Sequence, residues 1–230
     1  MIDNTYFQGK RFIPNTTEPE VNNRTGEDLQ GFIDSVEKDV LSYCFGLEMW
    51  EDFKEKWENK STEEPLPDNY QKLIYGTTYD FTENGETKKY RWDGILEESL
   101  LQSFLADLTY YEFKIYQNTQ ASEFGEVSTE SKVGNKASIT PKVVEAYNSF
   151  IAKCFGGFRG FASGYTLEGN PYWIVSNRLN NGVGLDYYGI NRKNRNVSMM
   201  QFLYDNKADY PLLDLDYQRY GGEMKNQFGI

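Results

Sequence analysis

Apolar positions recur at helical spacing in several stretches of the chain. Leu29, Phe32, Ile33, Val36, Val40 and Cys44 repeat at steps of three and four, with Thr25 and Asp28 placed as a cap and its three-residue partner. The pattern predicts a helix near 27–44, ended around Gly46. Leu47, Trp50, Phe53 and Trp57 continue the spacing in a second, shorter helix to about Asn59, and Pro65 and Pro67 then break the chain. A helical turn after Asp68 carries Tyr70, Leu73 and Ile74 as far as Gly76. Asn84-Gly85 lies between the alternating segments 79–82 and 87–92, the strongest short signal for a β-hairpin. Leu101, Phe104, Leu105, Leu108, Tyr111 and Ile115 form the clearest stripe of the chain, read as a helix over 95–117 about 35 Å long. Thr140-Pro141 then opens a helix with Val143, Val144, Tyr147, Ile151 and Cys154 on one face and Gly156-Gly157 beyond its end.

Three regions have no lasting period. The first two dozen residues read as an extended arm. The polar stretch 118–138 is too long for an ordinary connection, and such loops are usually functional or disordered. Beyond Gly157 the chain is rich in Gly, Asn and Tyr, with a strand signal at 172–175 and a short helical piece over 197–203; it reads as a second set of arms. The predicted fold class is therefore mainly α, a helical bundle with a small β-hairpin and long extended N- and C-terminal arms. Its parts are an N-terminal arm at 1–24, a helical domain at 25–156 and a C-terminal extension and arm at 157–230.

Composition narrows the chemistry. The 230 residues carry a formal net charge of −11, with a mean hydropathy of −0.70, yet 16% are aromatic, which argues for an ordered chain with a polar surface. No apolar run is long enough to span a membrane and the first residues lack a signal-peptide pattern, so synthesis without export is the expectation. Histidine is absent, which removes Ser-His-Asp and Cys-His machinery and His-ligated zinc. Cys44 and Cys154 read as two small buried hydrophobes, with a structural disulfide as the alternative. No cofactor is expected: Gly182-Val183-Gly184 lacks the third glycine and following helix of a dinucleotide fingerprint.

Carboxylate pairs such as Glu97 with Glu98, or Asp214 with Asp216, open an alternative reading as a glycan-degrading enzyme. A glycan-binding module that stacks sugars on Trp92, Trp173 and tyrosines is another. Arg178, Arg192, Lys193 and Arg195 surround Tyr187 and Tyr188 in an otherwise acidic chain. Such a segment suits either a nucleic-acid strand or an acidic neighbouring subunit, and the acidic surface of a sister copy is the reading taken. The aromatic-bearing end, with Tyr217, Tyr220, Phe228 and Ile230, suits pockets on a neighbour.

The order helix, hairpin, long helix, then Phe124-Gly125-Glu126-Val127 in a polar loop, Gly134-Asn135, and a closing helix with Glu145-Ala146-Tyr147-Asn148 resembles the head-tail connector (adaptor) proteins of tailed bacteriophages. It is most similar to those of Bacteroides phages and prophages, crAss-like phages included, and the resemblance covers about residues 25–156. It implies a virion protein without enzymatic activity at the head-tail junction, made in the bacterial cytoplasm. Such a protein forms a homo-oligomeric ring, usually of twelve copies, beneath the portal protein. The ring extends the DNA channel, lets DNA pass without sequence-specific binding, and docks the next neck or tail component; no membrane is involved. The Tyr- and Asn-rich extension after Gly157 departs from compact connectors. The residues expected at interfaces are Phe124, Val127 and Val133 in the polar loop, Tyr188, Arg192 and Arg195 in the basic segment, and Phe228 and Ile230 at the C-terminal end.

Overall fold

The fold is mainly α, with short antiparallel hairpins. The structure, a computed structural model, describes residues 1–14, 16, 24–61, 63–83, 85–122, 125–128, 140–155 and 196–214.

Helix α1 spans Arg24–Phe45, so Thr25 lies inside the helix and not at its cap. Leu29, Ile33, Val36, Val40, Leu41, Cys44 and Phe45 are buried along it, the stripe that the spacing predicts. Gly46, at φ 79°, then turns the chain directly into α2 (Leu47–Glu58). A side chain cannot follow this bend cheaply, because a Cβ at Gly46 would lie 2.6 Å from Cβ of Asp214. Met49 and Phe53 face the core from α2, and Tyr70, Leu73 and Ile74 do so from α3 (Asp68–Tyr75). The rings of Phe53 and Tyr70 meet edge to face with centroids 5.3 Å apart.

Strands β1 (Thr77–Glu83) and β2 (Glu86–Trp92) pair from Thr77 opposite Trp92 to Glu83 opposite Glu86, on either side of Asn84-Gly85. A two-residue ladder, β3 (Leu96–Glu97) with β4 (Gln102–Ser103), follows. The helix predicted over 95–117 therefore begins later: α4 spans Phe104–Asn118 and is about 22 Å long. Leu101 adopts φ 49° in the turn between β3 and β4, which a helix cannot accommodate, and the Ser103 hydroxyl accepts the Leu105 N–H at 3.1 Å as a cap. Helix α5 spans Thr140–Phe155 and packs along α4, which also lies against α1. Phe104, Leu105, Phe113, Phe150, Ile151 and Cys154 fill the space between these three helices.

Two of the predicted arms are corrected. Residues 1–14 form two single turns, Asn4–Tyr6 and Gly9–Arg11, and bury Ile2, Phe7 and Ile13 in the same core as the helices. The Ile2 N–H donates to Glu37 Oε1 at 2.6 Å. Arg11 Nε donates to Asp107 Oδ1 at 2.6 Å, and Asp107 also accepts the Ser149 hydroxyl and lies 3.5 Å from Lys153 Nζ. One buried carboxylate thus ties the N-terminal segment to α4 and α5.

The second correction concerns residues 196–214, expected in a C-terminal extension outside the core; the short helical piece predicted over 197–203 is present, but it is part of that core. The Val197 N–H donates to Arg91 O, Asn196 bridges to β2, and α6 (Met199–Asp205) follows, capped by the Ser198 hydroxyl. Met199, Met200, Phe202 and Leu203 are all buried, Phe202 stacking on Trp92 at 6.0 Å. Tyr210 then donates its hydroxyl to Asn69 O, and the Asp214 N–H donates to Phe45 O at 3.1 Å. This part of the chain closes the core over the hairpin. Among the described residues, no helix is long and apolar enough to cross a membrane.

Candidate functional site: the interface segments

The polar stretch after α4 contains more structure than its composition suggests. The chain passes without a break from Asn118 into β5 (Thr119–Ser122), which pairs with β6 (Gly125–Ser128), and Val127 stands opposite Gln120 in that ladder. Part of the predicted loop is therefore a further hairpin that continues from the end of α4. Of the eight residues expected at interfaces, only Val127 falls within a described element. Phe124, Val133, Tyr188, Arg192, Arg195, Phe228 and Ile230 lie outside the described residues, as do Arg178, Tyr187 and Lys193.

The residues that flank these segments are described. Phe155 and Asn196 stand on either side of the stretch with the basic cluster. Phe155 is buried, and Phe150 packs edge to face on it at 5.8 Å. Asn196 donates from Nδ2 to Asp93 at 2.8 Å. Asp214, which precedes the C-terminal stretch, lies beside the bend at Gly46. There Asp39, Ser42, Tyr43, Gly46, Leu47 and Asp214 line a groove of about 520 Å³.

Among the described residues, three large apolar side chains are more than half exposed: Phe12 at 61%, Leu47 at 67% and Leu100 at 64%. Leu47 shares the apolar spacing of α2 yet lies at the surface, because it is the first residue of the helix, one turn ahead of the buried face. Leu100 sits in the turn between β3 and β4. No sequence signal marks it, because it stands at helical spacing from Phe104 and Leu108.

The candidate groups for sugar chemistry are placed differently from one another. Trp92 is a core residue: it is 3% exposed, its indole N–H donates to Leu73 O at 2.8 Å, and its ring is covered by Phe202, so it offers no stacking platform. Trp173 and Asp216 lie outside the described residues. Glu97 accepts the Ser99 hydroxyl, and Glu98 is exposed. Glu112, half-buried on α4, has its carboxyl pushed up by burial and then by the charge of Asp39 on α1. At Asp52 burial alone would raise the carboxyl, but hydrogen bonds from Lys56 and Tyr70 together with the Lys56 charge outweigh it and hold the group low. Burial, and then the hydrogen bond to Asp52, push the Tyr70 phenol up. Among the described residues, no three His, Cys, Asp or Glu side chains are grouped to hold a metal ion.

No family model, curated protein or solved structure matches the chain.

Proposed function

We propose that this chain is a structural subunit of the neck of a tailed bacteriophage. As a head-tail connector, it assembles into a ring of about twelve copies beneath the portal, extends the DNA channel and docks the next neck or tail component. The observation that carries this reading is the arrangement of 24–155. Packed helices, a hairpin and α4 lead into a polar segment rooted on the end of α4, and the chain returns through α5. In this role the packed helices form the wall, while the segments leaving at Asn118, Phe155 and Asp214 reach sister copies, the portal protein and the component below. Leu47, Leu100 and Phe12 provide apolar contacts between neighbours. The net charge of −11 suits a channel through which DNA slides, because an acidic surface repels phosphate and does not retain it. No catalytic role is assigned to any residue.

The test is the mass of the purified protein by light scattering, with ring-shaped particles sought by electron microscopy, alone and with a portal preparation. A particle of roughly twelve times the 26.7 kDa chain supports the proposal. A monomer under every condition, portal included, defeats it.

A further inference from the structure

Cys44 and Cys154 are separated by 110 positions, yet their sulfur atoms lie 3.7 Å apart. Each is the penultimate residue of its helix, α1 and α5 respectively, and both are fully buried in the main core. We propose that this pair is a modification site. The two thiols convert to an intramolecular disulfide by exchange with a low-molecular-weight disulfide such as oxidised glutathione, and the bond staples α1 to α5.

A disulfide needs the sulfurs about 2.05 Å apart, so each must move by less than an ångström along the line that joins them. In the first exchange, one cysteine sulfur bonds to one half of the small disulfide and the other half leaves as a thiolate. In the second, the partner cysteine attacks the protein-bound sulfur and releases the remaining half. Two protein thiols are oxidised, one small disulfide is reduced to two thiols, and the two cysteine protons end on those leaving thiols. The attacking species is a thiolate, and the closed fold suppresses it: burial, then the hydrogen bond and charge of Cys44, push the Cys154 thiol well above its ordinary range. The closed, reduced protein is therefore slow to react. Oxidation belongs to the folding chain or to an opened end of α1 or α5, after which the closed core shields the bond from reductant.

The experiment compares one full-length chain in two redox states, so no variant has to fold. The protein is unfolded and reduced, then refolded either with a reductant or with excess oxidised glutathione, and the products are alkylated and weighed. The expected oxidised product takes up no alkyl group, is about 2 Da lighter than the unalkylated dithiol chain, bears no glutathione and yields one peptide linking Cys44 to Cys154. Its thermal midpoint rises by roughly 5–15 °C, because the cross-link closes a long loop in the unfolded chain. Recovery of the dithiol, a glutathione adduct that never closes, or a disulfide form that melts no higher than the reduced one overturns the proposal.

Discussion

Gly94 occupies one of the tightest crossings in the fold. At φ 94°, a Cβ added to it would stand 2.6 Å from Ile74 O and 2.7 Å from the backbone N of Gly76. Backbone atoms cannot turn aside as a flexible side chain can, so Gly94→Ala is expected to cost about 2–4 kcal/mol in denaturant unfolding. The half-buried carboxylates predict a pH effect of definite sign. Because the Glu112 carboxyl is raised, the folded chain holds that proton more firmly than the unfolded chain does, and this group stabilises the protein as the pH falls from its raised value towards the ordinary 4.5. Above that window the buried charge is a liability. Glu112→Gln should therefore raise the thermal midpoint at neutral pH by about 1–2 °C and flatten the pH dependence in the mildly acid range. Asp52 works in the opposite direction: its contribution is present above the ordinary carboxylate value of 3.8 and fades as the pH drops through its lowered one. Melting curves from pH 4 to 7 for wild type and the Glu112 variant check the sign.

Short elements distinguish what the sequence discloses from what it hides. The stripes of α1 and α5 run for four or more turns, enough repeats to show a period, and the Asn84-Gly85 signal fits the β1–β2 pairing. By contrast, the N-terminal turns have three residues each, too few to show a period. The short helical piece expected over 197–203 is present as α6, but its seven residues do not disclose its burial, which comes from partners far away in sequence. The spacing carries the long helix too far towards the N-terminus, because Leu101 continues the apolar pattern while its backbone turns the other way. The residues proposed for interfaces, such as Tyr188, Arg192 and Phe228, carry no period, so composition and the family resemblance alone point to them. Phe202 tests whether α6 belongs to the core: it touches Trp92, Tyr79 and Tyr210. Phe202→Ala should cost about 3–5 kcal/mol in chemical unfolding, a loss that a detached arm would not produce.

For the molecule as a whole, the last anchor among the described residues is the Asp214 N–H on Phe45 O. Removing residues 217–230 leaves that anchor in place. The shortened chain is expected to keep its helical circular-dichroism spectrum and to assemble less well by light scattering; loss of the spectrum would assign the deleted stretch to the core. Phe155 and Asn196 are both held in the described fold: Phe155 is buried, and Asn196 is bonded to Asp93 and bridged to β2. A single cut in the backbone between those two positions would therefore leave α6 seated on Trp92, the two pieces joined by packing and not by a covalent link.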